Sequence, residues 1–294
     1  MRAPKRLIVR TILSEARVYQ GRRVALLTQH GKERVVVPIL EGALGCRVER
    51  VAGYDTDLLG TFTREIPRPG TQLEAARKKA RIGMDLAGLD LGLASEGSFG
   101  PDPHTGMLPW GVELIVWIDE TLGIEVVGVA SGKANFSHLL TSDWGSVETF
   151  ARAAGFPEHG LVVRPQHGDD PRIRKDITAW DGLREAFHWA CGEASNGHAF
   201  LETDVRAHRN PMRMEMIGQA AQDLAHKLRT LCPLCGVPGF QLAERVFGLP
   251  CENCGTPTRQ ARADIHRCVR CGHQVMLERS EQAASAGRCD SCNP

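Results

Sequence analysis

Four Cys-x-x-Cys pairs crowd the end of the chain, Cys232/Cys235, Cys251/Cys254, Cys268/Cys271 and Cys289/Cys292, with 15, 13 and 17 residues between successive pairs. Of ten cysteines only Cys46 and Cys191 lie outside them. A pair spaced this way forms a knuckle whose two sulfurs converge, and two knuckles complete one tetrahedral site for zinc. Gly236, Gly255 and Gly272 follow three of the pairs and supply the permissive backbone a knuckle needs. Eight thiolates therefore predict two structural zinc ions. Redox-active dithiols and iron–sulfur ligation are rival uses of the motif, but four repeats in a glycine-rich tail fit zinc better. Sequential pairing, first with second and third with fourth, is the favoured arrangement, and a nested one is close behind.

The tail has few large apolar residues, so metal must contribute most of its folding free energy, about 10–16 kcal/mol per structural site. This divides the chain into a main domain over residues 1–230 and a double zinc ribbon over residues 231–294. Residues 232–294 carry seven Arg and six acidic residues, and two tetrathiolate zinc sites would leave the tail at a net −3. That weakens nucleic-acid binding by the ribbons against a plainer role as a lid or oligomer contact, although recruitment of a protein or nucleic acid stays open.

The 294 residues, 42% hydrophobic and 24% charged, leave room for one α/β domain ahead of the ribbons. The formal net charge of +1 provides no global field toward nucleic acid or anionic lipid. No apolar run approaches the ~20 residues of a membrane-spanning helix. Arg10, Ser14, Glu15 and Arg17 interrupt the first apolar stretch, so no export signal and a cytoplasmic location are expected.

Apolar periodicity predicts strands at residues 23–28, 46–51, 91–95, 113–118, 125–130 and 161–163. Helices are predicted at 32–45, 71–87, 146–154, 178–193 and 211–228. Pro38 implies a late start or a kink in the first of these. Thr71 and Glu74 form a capping-box pattern, and Asn210 with Pro211 marks another helix start. The run Arg77, Lys78, Lys79 and Arg81 reads as a solvated helix face. Strands alternating with helices give an α/β fold, a layered mixed sheet with flanking helices, followed by the small zinc-ribbon module.

Three polar clusters carry the candidate chemistry. Thr28, His30 and Lys32 follow a strand and open a helix, where backbone N–H groups and a lysine could hold phosphate; an ordinary polar turn is the bland alternative. Ser95 and Glu96 lie at the end of an apolar strand within Ser-Glu-Gly-Ser-Phe-Gly, where a carboxylate could take Mg²⁺ or simply occupy a turn. Arg206, His208 and Arg209 belong to a dense charged run before a helix cap, in which Asp204 and Arg206 could be no more than a structural ion pair.

The segments GRRVALLTQHGKERVVVP, GTFTREI, LGLASEGSFGP, GLVVRP, ETDVRAHRNPMRM and CDSCNP together resemble a bacterial family known only as a domain of unknown function. Residues 23–229 also resemble, in motif order, the inosine/xanthosine triphosphate pyrophosphatase-like fold. The resemblance puts Thr28 with Lys32 at a phosphate-binding turn, Lys79-Ala80 ahead of the acidic loop Glu96-Gly97, and Ala207-His208-Arg209 at the nucleotide. It implies a Mg²⁺-dependent nucleotide pyrophosphohydrolase in which Glu96 with Asp55 or Asp57 holds metal and activates water. Lys32, Lys133 and Arg209 would neutralise phosphate oxygens, and His208 would contact base or sugar. The alternative is a non-catalytic module that binds a nucleotide or other phosphorylated small molecule in the same cleft. Carboxylates converging on Glu96 would favour chemistry; a single one among cations would favour binding.

Overall fold

The computed structural model describes residues 18–60, 66 and 70–294. Among them are three sheets and five α-helices. The first sheet has the order β2-β1-β3-β4-β5, built from β1 (Arg23–Leu27), β2 (Arg47–Val51), β3 (Leu91–Pro101), β4 (Pro109–Asp119) and β5 (Ile124–Lys133). β1 runs parallel to β2 and β3, while β3, β4 and β5 form an antiparallel meander.

Alternation along these strands sends successive side chains to opposite faces, and both faces are apolar. Val24, Leu26, Leu93, Ile115 and Trp117 pack beneath α1 (Glu33–Leu44) and α5 (Pro211–Arg229). Ala25, Ala94, Leu114 and Val116 meet Ala76, Ala80 and Met84 of α2 (Gln72–Ala87). The Thr71 capping box starts α2 as expected. α1 is continuous through Pro38, which sits on the exposed side, where water can serve the carbonyl its ring leaves unpaired.

A second sheet, β6-β9-β7-β8, is antiparallel throughout and lies between β5 and α5 in sequence. Its strands are β6 (His138–Thr141), β7 (Leu161–Pro165), β8 (Arg174–Ile177) and β9 (Ala199–Thr203). α3 (Trp144–Ala153) and α4 (Trp180–Glu193) cover one face, with Val147, Leu161, Val163, Leu183, Phe187 and Leu201 in the core between them. The main domain is thus two-lobed. β6, β8 and β9 are absent from the sequence expectation: β6 and β8 have only four residues, too few alternations to register, and β9 (Ala-Phe-Leu-Glu-Thr) is an apolar run too short to separate from a loop.

The ribbon is a third antiparallel sheet of β10 (Phe240–Phe247), β11 (Ala261–Cys268) and β12 (Gln274–Glu278). Here the structure corrects the expected pairing. Cys232 and Cys235 converge with Cys268 and Cys271, and Cys251 and Cys254 with Cys289 and Cys292, so the arrangement is neither sequential nor nested. Each inter-knuckle interval holds one strand instead of a hairpin. An eight-residue strand at about 3.3 Å per residue moves the chain roughly 25 Å, so successive knuckles alternate between opposite ends of the sheet. The ribbon end nearest the main domain is seated on it: Gly239 N–H donates to Lys227 and Thr230 carbonyls at 3.1 Å, and Val237 is buried in the main core. At Gly239, φ is 92°, and a Cβ would press on Val126 and Val269 at 2.9 and 2.7 Å.

Candidate functional site

Where β1 ends, Thr28 to Lys32 form a turn in which His30 and Gly31 both take left-handed backbone, φ 65° and 72°. This curl drops Lys32, only 7% exposed, under the start of α1, and its Nζ donates to the Ser95 carbonyl at 3.2 Å. Next on β3, Glu96 is 2% exposed and accepts from Lys79 Nζ of α2 at 2.9 Å. β3 does not end at this cluster, as expected from sequence, but continues to Pro101. Its Gly97 is needed there: a Cβ would collide with the Glu113 carboxylate and the Arg213 guanidinium. Those two form a fully buried ion pair, Arg213 Nε to Glu113 Oε1 at 2.6 Å.

Lys32, Lys79, Ser95, Glu96 and Arg213 line a narrow polar cleft between the two lobes. The second lobe adds Lys175 and Arg206. Five cations, Lys32, Lys79, Lys175, Arg206 and Arg213, thus line the cleft with one carboxylate, Glu96. Burial lowers the Lys32 pKa to about 8, with Arg213 and Lys79 adding to the effect and Glu113 and Glu96 opposing it. Burial, then His208, Lys32, Arg206 and Arg213, lower that of His30 to about 3. His30 stacks on His208 with ring centroids 4.8 Å apart and planes at 16°, and burial and Arg206 lower the His208 pKa as well. The Ser95 hydroxyl is buried beside the cleft and meets no hydrogen-bonding partner among the described residues.

Asp176 organises the rim. It takes left-handed backbone, φ 63°, and its carboxylate meets Arg206 at 3.1 Å, Arg209 at 2.9 Å and His208 at 3.4 Å. Burial works to raise its pKa, yet the bonds from Arg209, Arg206 and His208 hold it at about 2. Arg206 is further clamped by Asp204, Nη2 to Oδ2 at 2.6 Å.

Of the residues predicted from sequence, Thr28, His30, Lys32, Ser95, Glu96 and Arg206 line this one cleft. His208 reaches it through the stack on His30, and Arg209 only through Asp176. Lys133 does not line it, standing exposed at the end of β5. Asp55 is exposed and accepts from Gln29 Nε2 at 3.1 Å, and the side chain of Asp57 lies outside the described residues. Among the described residues no group of three Asp, Glu, His or Cys comes within metal-ligating range except the two cysteine tetrads. Sequence reasoning left out Lys175, Asp176, Glu113 and Arg213, and it read Lys79 as solvated. The last three carried a signal: each is a charged residue at the apolar phase of a strand or helix pattern.

In each tetrad all four sulfurs lie within 4.8 Å of one another, an arrangement that could hold a metal ion. Backbone N–H groups of Arg270 and Cys271 point at Cys268 Sγ, both at 3.4 Å, as Asn253 N–H does at Cys251 Sγ. Among the described residues no helix is long and apolar enough to cross a membrane. Residues 79–294 match the family model of a domain of unknown function, DUF6671. Comparison with curated proteins returns no match.

Proposed function

The chain belongs to the DUF6671 family, and from the geometry of its cleft we propose that it binds a nucleoside phosphate, or a similarly phosphorylated small molecule, between the two lobes. The carrying observation is the buried Lys32 beside the Ser95 hydroxyl, itself buried and unpartnered among the described residues, at a cleft lined by basic side chains from both lobes. Lys79, Arg206 and Arg213 already meet carboxylates, those of Glu96, of Asp204 and Asp176, and of Glu113, so the charge a bound anion would offset is that of the buried Lys32, whose Nζ donates to the Ser95 carbonyl. Lys32, Lys175, Arg206 and Arg213 neutralise phosphate oxygens in this reading, and the His30–His208 stack offers an uncharged flat surface to base or sugar.

Mg²⁺-dependent pyrophosphohydrolysis is the second reading, favoured by Glu96. Mg²⁺ is commonly held by one or two carboxylates plus substrate phosphates, and it would polarise a phosphoryl oxygen. Glu96 stands beside the cleft with Lys79 Nζ at 2.9 Å, and in this reading its carboxylate takes a proton from attacking water. For the tetrads we propose zinc: Zn–S bonds of about 2.3 Å at tetrahedral angles put sulfurs about 3.8 Å apart. The closest pairs are at 3.7, 3.7, 3.9 and 3.6 Å. Thiolates held for metal suit a reducing compartment such as the cytoplasm.

Calorimetry with a panel of nucleoside triphosphates, with and without Mg²⁺, tests the reading when pyrophosphate and phosphate release are assayed alongside. Binding that needs no Mg²⁺ and weakens by ~2–5 kcal/mol in Lys32→Ala is the expected result. Turnover abolished in Glu96→Ala would establish the second reading. If no nucleotide binds, and Lys32→Ala changes nothing but stability, both readings fail.

A further inference from the structure

The outer face of the ribbon carries a second, differently built groove. It is lined by Arg245 and Phe247 of β10, Arg259 ahead of β11, Arg279 after β12, and Arg288 beside the last knuckle, with Glu281 as its one acidic member. Phe247 is 60% exposed at the end of its strand, although most aromatic rings of the chain are packed. Arg245 and Phe247, two residues apart on β10, both line the groove. Asp264 braces the Arg279 guanidinium with two contacts of 3.0 Å, and Asp290 braces Arg259 at 3.0 Å.

We propose that this groove binds single-stranded nucleic acid, with Phe247 stacking on an unpaired base and the surrounding arginines following the phosphates. Basic charge is concentrated in the groove. The whole tail has no basic excess, but four of its seven arginines line this groove. A polyanion alone would explain the guanidinium groups, but not a bare phenyl ring among them. An acidic peptide offers no flat π-face to cover the ring, and a duplex keeps its base faces stacked internally. An unpaired base meets both requirements, since base–aromatic stacking tolerates any sequence and arginine planes stack as well. The groove is separate from the interlobe cleft and shares none of its lining residues.

The test uses the full-length, metal-loaded protein and a short fluorescent oligothymidylate or oligouridylate, followed by anisotropy across a salt series. Phe247→Ala should weaken binding about tenfold and Phe247→Trp should restore it. Arg245→Ala should weaken binding and reduce the slope of log K against log salt by about 0.7, the value for one phosphate contact on a single strand. Metal content and circular dichroism of each variant establish that the ribbon is intact. Arg288→Ala serves as a second probe if Phe247→Ala fails to load metal. The proposal is overturned if the oligonucleotide does not bind, if duplex or heparin binds as tightly as the single strand, or if a polyglutamate peptide displaces it at equal charge. It is also overturned if Lys32→Ala removes binding while Phe247→Ala leaves it, because the strand would then occupy the interlobe cleft.

Discussion

Raising the pH should remove one charge from the interlobe cleft. The unliganded Lys32 has its pKa drawn down to about 8, whereas a phosphate dianion beside it would favour the ammonium form. A phosphate monoester with a second pKa of about 6 is fully charged above neutrality, so the ligand itself does not titrate. Lys32 then supplies the pH dependence: affinity falls about tenfold between pH 7 and pH 9, at about 1.4 kcal/mol per unit once the free lysine is neutral. Stability of the empty protein moves the other way. Between about 8 and the ordinary lysine value of 10.5 the unfolded chain holds a proton that the native state lacks, so unfolding becomes harder as pH rises through that window. Calorimetry near pH 8 in two buffers of different ionisation enthalpy should show uptake of about half a proton per ligand bound. Lys32→Arg keeps its charge at every pH used and should abolish the slope while retaining binding. A wild-type affinity that is flat from pH 7 to 9, or a slope that survives in Lys32→Arg, would refute the argument.

Arg213→Met should destabilise by about 3–5 kcal/mol in urea, because it strands the Glu113 carboxylate in the core, and adding Glu113→Leu should recover part of that loss; a single-variant cost below about 1 kcal/mol would contradict it. Elemental analysis should give about two metal ions per chain. Cys232→Ser and Cys268→Ser should each remove the same ion, whereas Cys232→Ser combined with Cys251→Ser removes both; additive loss in the first pair would disprove the alternating arrangement. A chain ending at residue 231 should still melt cooperatively but at a lower temperature, since burying a side chain such as Val237 contributes ~1.5–3 kcal/mol. A broad, non-cooperative melt would show that the ribbon completes the main core.

What the sequence disclosed followed from local rules. The capping box at Thr71, the Asn210 cap that accepts from Arg213 N–H, and the cysteine knuckles all depend on residues within a few positions of one another. Knuckle pairing was misread because it depends on how many strands fill each interval, and β10 and β11 are half exposed and irregular in pattern. The resemblance singles out Lys79, but the charged run around it reads as a solvated face; Arg77 pairs with Glu125 and Lys78 is exposed, whereas the place of Lys79 three residues after Ala76 puts it on the buried side of α2. Lys175 and Asp176 belong to a four-residue strand that gives no periodicity to detect. Thr28, His30, Lys32, Ser95, Glu96 and Arg206 are legible one by one, but their meeting with Lys175 depends on a second lobe whose short strands are not.

Alternation of the knuckles also sets an order of events on the ribosome. The first two knuckles both emerge from the ribosome before Cys268 does, and until then their sulfurs are the partners available to an arriving metal ion. Their native partners follow later, so the first site can close only once Cys271 is out and the second only with Cys292. A nascent chain that loads metal early would therefore hold Cys232, Cys235, Cys251 and Cys254 around one ion, with β10 prevented from lying straight between them. Reaching the native ribbon then requires that ion to pass from one knuckle to another by ligand exchange, so maturation of the tail would be slowed by excess metal during synthesis and hastened by a weak competing thiol.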